Sequence, residues 1–249
     1  LQLSEYLHDI GVILHFQDQI TSPLYKTVII RPTWATESVY KVLRSEKVKQ
    51  NLGRFTDGDL EDIWQDDEYF SMTGELLDLM MKFKLCYQLP NEKNTYIAPQ
   101  LLDYNEPEYE WNSDDNIILR YRYDFMPKGI LNRFIVEMHR FILEPFVWLT
   151  GVLLQREETR AKIIETYDQR EIIIRLSGAN KRGFLEVITD QFDRIHENYN
   201  RLKVDKLIPC NCSECKDSKQ SYSHVLEDVK KALSKRKTTV ECKISFEDI

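Results

Sequence analysis

Three of the chain's five cysteines fall within six residues, in Ile208-Pro-Cys-Asn-Cys-Ser-Glu-Cys215. Cys210, Cys212 and Cys215 form a C-x-C-x-x-C pattern, and Cys242 follows 27 residues later in "TTVEC". In an extended segment Cys210 and Cys212 point to one side, and a turn at Ser213-Glu214 can bring Cys215 round to meet them. A fourth thiolate would complete the closed tetrahedral set that zinc takes in structural sites. Cys242 is the expected fourth ligand, with His224 as the substitute if Cys242 lies too far away. The alternative is free thiols in a turn, because spacing alone does not show that the fourth ligand converges. Four filled positions leave none for water, so such a site would staple the tail and catalyse nothing. Cys86, in the alternating run "LCYQL", reads as an inert core thiol.

No other residues assemble a reaction centre in the sequence. There is no G-x-x-x-x-G-K-[ST] loop, no H-E-x-x-H and no G-x-S-x-G. The five histidines stand apart, and surface or capping roles are expected for them; His139 falls on the polar side of its helix. The acidic run 57–68 could suggest metal or acid/base chemistry. It reads instead as a solvated helix face, with Leu60, Ile63 and Trp64 as the buried stripe. The fragment is expected not to be an enzyme.

With 42% hydrophobic and 30% charged residues, the 249-residue chain has the balance of a soluble globular protein long enough for two domains. The net charge of −7 is uneven. Residues 1–115 carry 10 Lys and Arg against 21 Asp and Glu; residues 116–249 carry 24 against 20. The acidic, proline-bearing stretch "LDYNEPEYEWNSDDN" is the linker candidate, and the expected domains are 1–108 and 109–249. No signal peptide or membrane span is visible, and the odd cysteine count argues against a disulfide framework. A cytoplasmic, reducing compartment is expected, with no membrane partner. The start "LQLSEYL" and the end "ISFEDI" are expected to be cuts inside a larger protein.

An α+β fold is expected from the periodicities. The first domain reads as helices over 36–50, after Thr56, and from a capping Ser71, the last with Leu76, Leu77, Met80 and Phe83 on one face. The strands "LCYQL" and "TYIA" follow, giving a winged-helix-like unit. The helix before that wing is apolar and bears Glu75 and Asp78, and the domain is acidic, so no nucleic-acid partner is expected. In the second domain "NIILRYRYDF" alternates with Ile117, Leu119, Tyr121, Tyr123 and Phe125 on one face. Leu131, Phe134, Ile135, Met138, Phe141 and Ile142 trace a helix. Three strands ("FVWLTGVLL", "AKIIETY", "EIIIRLS") follow, then a long helix bearing Phe184 to Leu202, a polar helix near 222–233 and a final strand "TTVEC". That order, β-α-β-β-β-α-β, predicts a layered unit of antiparallel sheet and helices.

Several stretches together, "LHDIGVILHF", "TVIIRPTWATESVYKVL", "LLDLMMKFKLCYQL" with "YIAPQLL", and "YDFMPKGILNRFIVEMH", resemble the COR domain of Roco proteins. The likeness spans nearly the whole chain in order, and the "PCNCSEC…VEC" tail is similar to bacterial or archaeal members. The resemblance implies a winged-helix COR-A half and an α+β COR-B half. It implies a non-catalytic regulatory domain that packs on a Ras-like Roc GTPase domain of the same chain. Such a domain forms homodimers through COR-B and couples nucleotide state to assembly. The phosphate- and magnesium-binding residues belong to Roc and are not in this chain. The alternative is a STAND-type or winged-helix nucleic-acid-binding module.

Overall fold

The computed structural model describes residues 2–17, 20–216 and 222–249. The chain divides into two units, residues 1–105 with 135–140, and residues 106–134 with 141–249.

In the first unit α1 (Gln2–Asp9) precedes a small antiparallel pair, β1 (Leu14–His15) and β2 (Val28–Ile29). The helix expected over 36–50 is two helices, α2 (Pro32–Arg44) and α3 (Glu46–Gln50). Ser45 divides them with an extended backbone (φ −57°, ψ 124°), which turns the chain out of the α region. Pro32 opens α2, where its missing N–H costs no helical bond. Strand β3 (Arg54–Thr56) leads through the Thr56 cap into α4 (Asp57–Ile63). Next come α5 (Asp67–Phe70) and α6 (Thr73–Lys82). Ser71 does not cap α6; it closes α5, and α6 starts after Met72 without a side-chain cap. Of the stripe expected on α6, Leu76 and Met80 are fully buried, whereas Phe83 lies past the helix end and is exposed. Strands β4 (Tyr87–Gln88) and β5 (Thr95–Ile97) complete a three-stranded antiparallel sheet in the order β3-β5-β4. Phe55, Leu60, Trp64, Leu76, Met80 and Tyr96 form its core.

In the second unit β6 (Ile117–Tyr123) lies near the middle of a seven-stranded sheet. Leu119, Tyr121 and Tyr123 alternate as buried residues, but Phe125 lies beyond the strand and is exposed. Helix α7 (Ile130–Glu137) stops earlier than its apolar stripe suggests. A 3-10 turn follows, and Ile142 already belongs to β7 (Ile142–Trp148). The stretch "FVWLTGVLL" is a hairpin rather than one strand: the chain turns at Leu149-Thr150 into β8 (Gly151–Arg156). Strands β9 (Thr159–Thr166) and β10 (Glu171–Ser177) continue the meander. Helix α8 (Lys181–Glu197) buries Phe184, Ile188, Phe192 and Ile195, and ends before Tyr199 and Leu202. The chain then returns as β11 (Val204–Pro209) and β12 (Ser223–Val225), two strands absent from the expected order, before α9 (Leu226–Ser234). The sheet order is β12-β11-β6-β10-β9-β8-β7, and every neighbouring pair is antiparallel.

Helices α7 and α8 share one face of this sheet, as the ring contacts show. Phe134 stacks on Phe192 with centroids 4.0 Å apart, and Phe192 meets Tyr121 of β6 at 5.2 Å. Mixed helix and antiparallel sheet make the chain α+β, as expected from the sequence. Among the described residues, no helix is long and apolar enough to cross a membrane.

Candidate metal centre

The cysteine cluster is built at the end of β11, where the sheet gives out. Pro209, which has no N–H to donate, ends the strand opposite Ser223. The pairing extends one residue further, since the Cys210 N–H donates to Tyr222 O at 2.8 Å. The chain then tightens around Cys212, whose carbonyl accepts from the N–H groups of Cys215 (3.1 Å) and Lys216 (3.0 Å). That turn brings Cys215 back beside Cys210 and Cys212.

The fourth cysteine arrives in the tail. "TTVEC" is not a strand. It holds only an isolated bridge, Glu241 opposite Asp248, within a loop closed by paired bonds between Val240 and Ile249 (2.9 and 3.0 Å). Inside that loop the Cys242 N–H donates to Glu247 O at 2.9 Å, and the Phe246 N–H to Cys242 O at 2.8 Å. Ser213 ties the two segments directly, donating to Glu247 Oε1 through its hydroxyl (2.6 Å).

The sulfurs of Cys210, Cys212, Cys215 and Cys242 all lie within 4.8 Å of one another. Cys242 Sγ is 3.6 Å from Cys212 Sγ and 3.7 Å from Cys215 Sγ. All four side chains are buried, and Tyr222 and Ile249 pack against them. Donors surround the sulfurs: Ser245 Oγ reaches Cys212 Sγ at 3.3 Å, Tyr222 N reaches Cys215 Sγ at 3.4 Å, and Ile244 N reaches Cys242 Sγ at 3.4 Å. The backbone N–H of Ser245 and that of Ile244 outweigh burial and bring the Cys242 thiol down to about 6. The Ser245 hydroxyl likewise lowers Cys212, whereas burial pushes Cys210 up to about 12. The surroundings therefore lower the thiols of Cys242 and Cys212, while burial raises those of Cys210 and Cys215, and no pair is joined by a disulfide.

Tyr222, Ile244 and Ser245 were not legible as parts of this site. Ile244 and Ser245 stand two and three residues after Cys242, where a turn can aim a donor back at sulfur, whereas Tyr222, seven residues after Cys215, carries no such trace. His224 stays outside the sulfur group. It sits in β12, buried, with its ring edge-on to Tyr222 at 4.8 Å. Cys86 is a separate case: it belongs to the first unit's core, and burial raises its thiol to about 12. His139 donates from Nδ1 to Val136 O at 2.8 Å, and its half-buried ring departs from the exposed position expected of it. In the acidic run 57–68, Leu60 and Trp64 are fully buried and Asp59 serves the Thr56 cap.

Comparison with known proteins adds a family context to this geometry. The family model described as C-terminal of Roc, COR-A domain, matches residues 1–102, and the one described as C-terminal of Roc, COR-B domain, matches residues 114–249. A Roc-COR-CHAT protease of Runella zeae is 28% identical over 81% of this chain. Cyclic GMP-binding protein C of Dictyostelium discoideum is 23% identical over 96%. The chain spans 21% of the first relative's length and 10% of the second's. A solved structure of GDP-bound Methanosarcina barkeri Roco2 RocCORdC is 34% identical over 41% of this chain and 32% of that one, with a TM-score of 0.35.

Proposed function

The chain belongs to the COR family, C-terminal of Roc, in both its COR-A and COR-B halves, and on that premise we propose that it is a non-catalytic regulatory and dimerisation domain. It packs on a Roc GTPase domain of the same polypeptide, pairs with a second copy through COR-B, and couples nucleotide state to that assembly. The observation that carries this reading is the succession of COR-A and COR-B over 1–102 and 114–249, together with a relative whose name sets Roc before COR. Five free cysteines suit a reducing compartment, and the cytoplasm is the compartment of this reading.

The first unit is read as a winged helix, with β4 and β5 as the wing after α6. Its partner in this reading is protein. Helix α6 carries Glu75 and Asp78 against one basic residue, Lys82 in its last turn, whose ammonium lies over the Phe16 ring at 4.8 Å, so the balance of charge on the helix opposes a phosphate backbone.

The test is light scattering on this chain and on the full parent polypeptide loaded with GDP or a non-hydrolysable GTP analogue. A dimer in either, with an affinity that changes with the nucleotide in the parent, is the expected result. A strict monomer in every state overturns the assembly role. Nucleotide turnover by this chain alone would overturn the non-catalytic reading, since phosphoryl transfer needs a phosphate cradle and a magnesium ligand. Tight duplex DNA binding that falls steeply with salt would favour the nucleic-acid alternative.

A further inference from the structure

The segment after β11 has almost no apolar core of its own. Among the described residues beyond Pro209, the buried hydrophobic positions are the four cysteines alone. Helix α9 buries none of its residues, and Ile244 and Phe246 are exposed. Yet residues 210–216 and 240–249 follow a defined path closed by backbone bonds. Thiol contacts are a weak adhesive for ordering two segments that meet across a helix. Something stronger than dispersion has to join the sulfurs.

Their spacing indicates what it is. A tetrahedral ion with Zn–S bonds of about 2.3 Å sets neighbouring sulfurs about 3.8 Å apart. The observed separations of 3.6 and 3.7 Å fall at that edge length. A disulfide would need about 2.05 Å and would join only two of the four. Soft thiolates in a tetrahedral S4 set select zinc or an iron centre. Zinc fits this position because the cluster joins two backbone segments, which is the work of a closed structural site. The donors from Ser245, Tyr222 and Ile244 are the outer shell that orients metal-bound sulfur and tempers its charge.

We propose that Cys210, Cys212, Cys215 and Cys242 bind one structural zinc ion, which ties the C-terminal tail to the end of β11 and closes the β12 edge of the seven-stranded sheet. The ion has no open coordination position and takes part in no reaction. The proposal is independent of the regulatory reading, because it concerns folding of the tail whatever the domain's partner.

The test uses the whole chain, purified under reducing conditions without added chelator. Elemental analysis is expected to give one zinc per chain, and Cys86→Ala is expected to keep it. Exchange with Co2+ should produce the charge-transfer and d–d bands of tetrahedral thiolate coordination. Chelation, followed by hydrogen exchange, should raise amide exchange in 210–216 and 222–249 at least tenfold while β6 to β10 stay protected. Cys212→Ser should reproduce that pattern. Should this variant fail to fold, the metal content and cobalt spectrum of the unaltered chain still decide. Metal-free protein with an equally protected tail, one iron per chain, or a disulfide among the four cysteines in reduced preparations would each overturn the proposal.

Discussion

The Tyr123 hydroxyl and His196 Nε2 share a hydrogen bond of 2.8 Å inside the second unit, between β6 and α8. His196 is only 8% exposed, and its Nδ1 has no partner. Burial lowers its pKa to about 4; Lys206 adds to that fall and Asp193 opposes it. The unfolded chain protonates this ring near 6.5, so between pH 6.5 and 4 the unfolded state binds the extra proton. The stability contributed by the neutral ring is complete above pH 6.5 and is lost as pH falls towards 4. The loss amounts to about 3 kcal/mol at most for this one group. Denaturant melts of the second unit at pH 7.5 and 4.5 are expected to differ in midpoint, and His196→Phe should flatten that difference.

Phe134 and Phe192 stack with their ring planes 5° apart and centroids 4.0 Å apart, and both are fully buried. The pair joins α7 to α8 over Tyr121. Phe192→Ala removes the shared ring of that layer and should cost about 3–5 kcal/mol. Phe192→Leu should recover a large part, because it refills volume without the stack. Thermal unfolding of both variants checks the order.

Much of this layer was legible from sequence, because its cause is periodicity. Leu119, Tyr121 and Tyr123 alternate at period two, and Phe184, Ile188, Phe192 and Ile195 recur at helical spacing. The misplaced boundaries share one physical origin: an apolar run does not record where the backbone turns. Ile142 continues the stripe of α7 but belongs to β7, and "FVWLTGVLL" stays apolar through its hairpin, although only β8 is buried along most of its length while the edge strand β7 buries Trp148 alone. Ser45 breaks a helix without the usual signal of proline or glycine. β11 was missed because its Val-Asp-Lys-Leu-Ile-Pro sequence shows neither clean alternation nor an apolar run. For the cysteines, the C-x-C-x-x-C spacing marked three residues. The approach of Cys242 depends on a path around α9 that no local pattern encodes.

Gly151 opens β8 directly against the Trp148 ring. A Cβ at this position would stand 2.2 Å from Trp148 Cζ2 and 2.9 Å from Ile163 O. Trp148 is 1% exposed, and the carbonyl belongs to the adjacent strand β9, so neither neighbour can withdraw cheaply. Gly151→Ala should therefore destabilise the second unit by about 1–3 kcal/mol through overpacking. Tryptophan near-UV dichroism should change with it. An unchanged melting midpoint would mean that the hairpin adjusts freely.

In the first unit, Thr56 and Asp59 cap α4 reciprocally. The Asp59 N–H donates to Thr56 Oγ1 at 3.2 Å, while Asp59 Oδ2 accepts from the Thr56 N–H and hydroxyl, both at 2.8 Å. Burial alone would raise the Asp59 carboxyl, but Lys47, at 2.5 Å from Oδ1, and Thr56 outweigh it and hold the carboxyl below its ordinary range. A depressed carboxylate contributes its stability above the unfolded pKa near 3.9 and loses it as pH falls through the folded value. At neutral pH, Thr56→Ala should cost about 1–2 kcal/mol as a lost N-cap. Asp59→Ala should cost a similar amount, because it removes the other half of the same box. The two changes act on one set of bonds, so the double variant should lose less than the sum of the singles by about 0.5 kcal/mol or more. Chemical melts of the four proteins at pH 7 and pH 3 complete the cycle. The Thr56–Asp59 coupling should be no larger at pH 3 than at pH 7, and it shrinks once acid protonates the folded carboxylate; additive losses at pH 7 would mean that the two side chains cap α4 independently.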